Sequence, residues 1–412
     1  MADIRPFKAV RPKKGLESKI AALPYDVYNR KEATLKVQGD ELSFLRIDRA
    51  ETQFDESVGT YDDIVYKKAG ELFEDMLKKG EFTEDGSDRY YVYELTMNSR
   101  RQTGIVAVSS IDDYLNGVIK KHENTRAEKE EDRIRHVEAL NAQTGPIFLA
   151  YRYNFVIEEI TEKAKEGEPL FDFVSDDGIR HRGFAIDDNE DIEELAGVFS
   201  EMDSIYIADG HHRCASAVKA GLKRREENPD HTGEEEYNYF LSVLFADSEL
   251  MIMDYNRVIK DLNGHSTGEI LDYFGKRGTL LPVSAKGPYK PVSKGNVGIL
   301  LDGSWYSFYF DNSFKTDDPV KLLDVSRLQD EFLLPLFGIE DPKTDNRIDF
   351  VGGIRGLSEL EKRCTEDAKI AFVMYPTSIS ELFKVADAGM LMPPKSTWFE
   401  PKLRSGLFIH RI

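Results

Sequence analysis

Residues 204–221 read SIYIADGHHRCASAVKAG, and their reading decides how this chain is built. Ile205, Tyr206, Ile207 and Ala208 form a short apolar run of strand type, bounded by the turn-forming pair Asp209-Gly210. From His211 onward the apolar positions change period: Cys214, Ala217, Val218 and Leu222 lie on one face of a helix. A strand therefore feeds a helix through a corner of a few residues. The corner is occupied by Asp, Gly, His, His and Arg, where a plain cap needs only Ser, Asp or Asn.

Four chemistries compete for this corner. A simple Asp cap is the bland one. An anion cradle needs N–H groups free at the start of a helix and side-chain donors beside them; His211, His212 and Arg213 supply the donors. Gly210 allows backbone geometry closed to other residues. A metal site fits less well, because adjacent helical histidines diverge by about 100°, whereas helical zinc pairs use i and i+4. A redox loop would rest on Cys214, whose place on the apolar face reads as core instead.

Working outward, TYDDIVYKKAGELFEDMLKKGEF (60–82) has helical spacing and stops at Gly80. RYYVYELTM (89–97) and TGIVAVSSI (103–111) predict a hairpin, and GPIFLAYRY (145–153) a further strand. Residues 154–200 read as two helices around a short hairpin. YFLSVLFA (239–246) and LMIMDYNRVI (250–259) are hydrophobic enough for central strands. Hairpins mixed with helices predict an α+β fold, not a regular βαβ array. Soft boundaries give an N-terminal α+β region over 1–100, a core with inserted helices over 101–264, and a C-terminal α+β region over 265–412.

Composition narrows the function classes. The 412 residues are 41% hydrophobic and 11% aromatic, as in a globular enzyme-sized protein. Asp and Glu outnumber Lys and Arg by 75 to 55, a formal charge of −20, which opposes binding to nucleic-acid backbones. Two cysteines, Cys214 and Cys364, exclude a disulfide framework and fit a reducing cytoplasm. No apolar run has the length of a signal peptide or a membrane span, so the expectation is a cytoplasmic protein with no membrane partner.

Two further segments carry candidate chemistry. In KKHENTRAEKEEDRIRH (120–136), His122, Glu123 and Arg126 mimic the zinc-protease H-E-x-x-H pattern, but Arg126 stands where the second ligand belongs. Glu123 is instead a candidate general base beside His122. In MPPKSTWFEPKL (392–403), two prolines stiffen the entry to Lys395, Ser396 and Thr397, a cation and two hydroxyls suited to a phosphate or a zwitterion. Each of the two also reads as ordinary surface.

Taken in order, HENT, YIADGHHR and VADAGMLMPPKST resemble the signature segments of free serine kinases of the ParB/sulfiredoxin-like superfamily. Over nearly the whole chain, RPFKAVRP, LPYDVYNRKEA, ALNAQTGP, DGHHR and MPPKSTWFEPKLRSGL resemble a bacterial family of uncharacterised proteins in that superfamily. The resemblance implies a ParB/sulfiredoxin-like catalytic core with added N- and C-terminal elements. It implies phosphoryl transfer to or from the hydroxyl of a free amino acid, serine first, with ATP or ADP and Mg²⁺. Glu123 would be the base, with His122 beside it. Asp209, Gly210, His211, His212 and Arg213 would hold phosphates, and Lys395, Ser396, Thr397 and Arg126 would face the amino acid. The long stretch between Glu123 and Asp209 departs from the kinases, as do the first hundred residues. Two rivals remain: a ParB-like nucleotide-binding regulator without turnover, and a sulfiredoxin-like redox enzyme, for which Cys214 stands outside the expected loop position.

Overall fold

The structure, a computed structural model, describes residues 1–284, 287–311 and 313–412. It is α+β and forms two compact units: residues 1–250 together with 401–412, and residues 251–400. The expected boundaries after 100 and 264 do not coincide with these units. The reason is strand pairing across residue 100: Tyr90–Met97 and Arg100–Ser110 are antiparallel partners in one sheet, turning through Asn98 and Ser99 in the left-handed region.

That sheet is the frame of the first unit. Its strands are β1 (Ile4–Arg5), β2 (Tyr90–Met97), β3 (Arg100–Ser110), β4 (Ile119–Lys120), β5 (Ile147–Tyr151), β6 (Phe171–Val174), β7 (Arg180–Ile186), β8 (Ile205–Asp209) and β9 (Tyr239–Ala246). Their order is β4-β8-β5-β9-β3-β2-β7-β6, with β1 pairing β3 off this path. β4–β8 and β5–β9 are parallel and the remaining pairs antiparallel, so the sheet is mixed. β9 is buried along its whole length, which explains why YFLSVLFA reads as a continuous apolar run and not an alternating one.

The longer helices of this unit are α1 (Asp63–Lys78), α2 (Ala127–Leu140), α3 (Phe155–Lys165), α4 (Asn189–Ser200) and α5 (His211–Glu227); α3, α4 and α5 pack on the sheet, α2 packs on α5, and α1 packs on α2. Helix α5 puts Cys214, Ala217 and Val218 into the main core with Ile147, Leu149, Ile205, Ile207 and Leu244. Its small residues let the helix lie close to the strands. Helix α1 buries Val65, Ala69, Phe73 and Met76 in a second core with Val10, Phe44, Leu140 and Ile409. Phe73 meets Phe44 and Phe82 edge-on at 6.4 and 5.9 Å, and burying a ring of this size stabilises by about 1.5–3 kcal/mol.

The last twelve residues return to this first unit. His410 and Arg411 pair with Gln143 and Ala142, Ile409 bridges Val10, and Ser405 bridges Ala22. The C-terminus is thus stitched to both the N-terminal region and the segment before β5.

The second unit has its own antiparallel sheet, formed by β10 (Tyr255–Ile259), β11 (Gly278–Pro282), β12 (Asn296–Leu301), β13 (Ser304–Phe310), β14 (Ile348–Gly352) and β15 (Ile370–Val373) in the order β11-β13-β12-β15-β10-β14. Helices α6 (Thr267–Gly275), α7 (Leu357–Glu366) and α8 (Ile379–Asp387) accompany it, α6 and α8 each opening on a Ser capping box. An aromatic cluster holds α6 in place: Phe274 stacks on Phe332 at 4.1 Å and meets Phe308 edge-on at 5.1 Å.

Candidate functional site

The corner between β8 and α5 is built around Gly210. This residue is the N-cap of α5, lies in the left-handed region at φ 90°, and offers no side chain to cap the helix. Asp209 does not take over that duty: among the described residues its Oδ1 accepts the N–H of Gly210, at 3.0 Å, and none from the helix. Among the described residues, the opening N–H groups of α5 therefore have no side-chain acceptor, at the positive end of a seventeen-residue helix.

Arg213 crosses the corner. Its Nη1 donates to the Pro146 carbonyl at 2.6 Å, and the guanidinium passes between two glycines. A Cβ at Gly210 would lie 3.1 Å from Nη2, and one at Gly145 would lie 3.4 Å from Nη1. The guanidinium is crowded only from Gly210, whereas the tight neighbour of a Cβ at Gly145 would be Ser405 Oγ, at 3.1 Å. Replacing Gly210 with Ala is expected to cost about 1–3 kcal/mol, from the left-handed backbone together with the crowded guanidinium. A urea midpoint unchanged from wild type would contradict this.

Asp209 is charge-compensated. Lys402, in the returning C-terminal segment, donates Nζ to Oδ2 at 3.0 Å. Burial would raise this carboxyl, but Lys402 and Arg213 hold it far below the usual carboxylate range, so it is ionised at neutral pH. Sequence reasoning missed Lys402. A single Lys in an extended run carries no local signal, and its partner is almost two hundred residues away.

The HENTR loop lies against this corner, and the two histidines of DGHH hold it there. The backbone N–H of His122 donates to His211 Nε2 at 3.5 Å, and that of Arg126 donates to His212 Nε2 at 3.1 Å. The rings of His122 and His211 meet edge-on at 4.5 Å. Both rings are buried, and burial pushes His122 down to about 4 and His211 well below its ordinary value, the second helped by the first. Burial also lowers His212. The histidines are thus neutral imidazoles at pH 7 that join two segments, and the positive charge comes from Arg213, Lys402 and the helix end.

The tautomer follows from these bonds. A neutral His211 that accepts at Nε2 carries its proton on Nδ1, which faces Glu123 Oε2 at 4.0 Å. Glu123 is partly exposed, with 37% of its side chain open to solvent, so its carboxylate can meet a ligand. His122 Nδ1 is buried and has no hydrogen-bond partner among the described residues. Helix α2, which starts just after Arg126, is locked to α5: Ser216 donates to the Glu130 carbonyl at 3.0 Å, and Glu130 pairs with Lys219 and Thr125.

The structure thus brings His122, Glu123 and Arg126 to Asp209, Gly210, His211, His212 and Arg213. Lys395, Ser396 and Thr397 belong to the second unit. Lys395 has φ 58°, its carbonyl accepts from Arg257 at 3.1 Å, and its Nζ lies 5.5 Å from the centre of the Tyr255 ring. The Ser396 hydroxyl is buried and donates to the Pro393 carbonyl at 2.6 Å, closing the Pro-Pro-Lys-Ser turn. Cys214 is fully buried, and burial raises its thiol, so it has neither the exposure nor the acidity of a redox cysteine. Among the described residues no three His, Cys, Asp or Glu side chains group as metal ligands, and no helix is long and apolar enough to cross a membrane.

Comparison with solved structures finds distant likenesses. A free serine kinase variant in complex with ADP is 14% identical over 73% of this chain and 90% of its own, with a TM-score of 0.34. SbnI with a C-terminal truncation, from Staphylococcus aureus, is 11% identical over 72% of this chain and 82% of its own, with a TM-score of 0.36. A conserved hypothetical protein from Pyrococcus furiosus is 14% identical over 73% and 94%, at 0.32. No curated protein matches the chain. The model of the family described as "Protein of unknown function (DUF1015)" matches residues 4–326, well over half of the chain, and the protein therefore belongs to the DUF1015 family.

Proposed function

We propose that the first unit binds a nucleotide by its phosphates at the Asp209–Arg213 corner and transfers a phosphoryl group between that nucleotide and the hydroxyl of a free amino acid, serine first. The observation that carries this reading is the start of α5, where Gly210 offers no side-chain cap, with Arg213 laid across it and a partly exposed carboxylate, Glu123, facing His211. The resemblance of three sequence segments to signature segments of free serine kinases supports it.

In the direction away from ATP, Glu123 accepts the proton of the acceptor hydroxyl while that oxygen bonds to the terminal phosphorus, and ADP leaves as the old P–O bond breaks. His211, as a neutral imidazole, turns an N–H and no positive charge of its own toward Glu123. The nucleotide supplies the phosphoryl group, and Mg²⁺ bound with it neutralises phosphate charge. The N–H groups opening α5, with Arg213, hold phosphate oxygens; Lys402 keeps the Asp209 carboxylate from repelling them. Arg126, exposed at the head of α2, would meet the carboxylate of the amino acid.

Arg213→Ala is expected to weaken ADP binding by about 1.5–3 kcal/mol, the range for one lost charge-assisted contact. Titration calorimetry of both proteins with ADP and Mg²⁺ measures it. Equal affinities would remove the phosphate role of the corner.

A further inference from the structure

A cavity of about 370 Å³ opens in the first unit between the turn at Tyr25–Tyr28, helix α1 and helix α2. It falls within the size range of small-molecule pockets. A smaller cavity of about 40 Å³ adjoins it, bordered by Gly145 and Arg213 of the corner. Asp48 lines both.

The charges in the wall of the larger cavity are unequally committed. Arg30 donates to the carbonyls of Val58, Glu51 and Asp55. Arg49 donates to Glu51 and to the carbonyls of Tyr25 and Tyr28. Arg133 pairs with Asp132 and covers one face of Tyr25 at 4.0 Å; Lys129 donates to the Tyr61 hydroxyl at 2.9 Å. Two carboxylates make no direct ion pair with a Lys or Arg among the described residues, although the charge of Arg133 acts on Asp48. Asp26, exposed at the rim, makes no hydrogen bond or ion pair among the described residues. Asp48 has only 5% of its side chain exposed, yet its one hydrogen bond among the described residues is a long one, 3.4 Å, from Thr144. The neighbouring His136 lies 3.8 Å off, and its Nε2 is within hydrogen-bond distance of the Ile47 carbonyl, at 3.2 Å.

A buried carboxylate held by one long hydrogen bond is costly to keep, and Arg133, the cation whose charge acts on it, is already paired with Asp132. The chamber it faces is walled by Tyr25, Tyr28, Tyr61 and Tyr66; ring faces attract cations, and Arg133, Lys129 and Arg135 already lie over Tyr25, Tyr61 and Tyr66. We infer that this cavity is a binding site for a small aliphatic diamine, one ammonium seated on Asp48 and the other toward Asp26. The wall's own cations are engaged, so a zwitterion gains less there than a dication. The inference does not rest on the phosphotransferase reading, and its test needs no nucleotide.

Titration calorimetry with putrescine, 1,4-butanediol and L-serine decides it. Putrescine is expected to bind, with butanediol, of the same length but uncharged, silent and serine weaker. Asp48→Asn should weaken putrescine by on the order of 10-fold or more, the loss of one charge-assisted contact. Asp26→Asn, at the exposed rim, keeps the fold and should weaken it less. Both variants are checked by far-UV circular dichroism. No putrescine binding overturns the inference, as does butanediol binding equally, serine binding more tightly than putrescine, or putrescine affinity indifferent to Asp26→Asn and to a folded Asp48→Asn.

Discussion

Replacing Glu123 with Gln is expected to lower the rate of phosphoryl transfer by about 10²- to 10⁴-fold, the usual contribution of a positioned general base. The amide keeps the shape of the side chain and its place near His211 Nδ1, but cannot take up a proton. ADP affinity should stay within a few-fold of wild type, because Glu123 lies on the HENTR loop and the phosphate-holding groups lie on α5. The combination matters: a rate loss with intact binding assigns Glu123 to chemistry, whereas joint loss of both assigns it to holding the loop on the corner. A turnover rate within a few-fold of wild type would remove Glu123 as the base.

Acid should unfold the first unit well before ordinary carboxylate titration. Four of its histidines are held neutral by burial: His122 and His136 down to about 4, His181 to about 3, and His211 well below its ordinary value. Arg133 adds to the effect at His136, and Arg404 at His181. In the unfolded chain each takes a proton near pH 6.5, so between about pH 6.5 and 4 the unfolded state binds more protons than the native one. Stability is therefore full above pH 6.5 and falls as pH drops. At pH 5 the loss is about 2 kcal/mol per histidine, large against a total of about 5–15.

All four histidines lie in the first unit, and both tryptophans, Trp305 and Trp398, lie in the second. Urea titration at pH 5 should thus show a far-UV transition that begins below the tryptophan transition, with the two closer together at pH 7.5. A urea midpoint unchanged from pH 7.5 to pH 5 would contradict the burial account.

Local signals were legible in the sequence because their physics is local. The helix over 63–78, the hairpin turning at Asn98 and Ser99, and the strand-corner-helix at 205–227 each follow from periodicity and turn chemistry within one window. The pairing of HENTR with DGHHR was reachable only through resemblance, since no local pattern says that the backbone of Arg126 bonds to His212. Nor did the sequence show which way the histidines face: donors toward an anion and clamps on a loop have the same letters. Lys402 and the return of residues 401–412 to the first unit rest on partners far away in the chain, where periodicity is silent. Ser396, a candidate ligand hydroxyl by its sequence context, donates to the Pro393 carbonyl inside its own turn, a bond that no local pattern announces.

The central claim is that the corner and Glu123 together move a phosphoryl group. Incubating the purified protein with ATP, Mg²⁺ and L-serine, with ADP and phosphoserine run in parallel for the reverse reaction, tests it most directly. Mass spectrometry should find phosphoserine formed in the first mixture, or ATP and serine formed in the second, in amounts that exceed the enzyme and vanish with Glu123→Gln. Absence of product in both directions, repeated with other hydroxy amino acids, would contradict the claim.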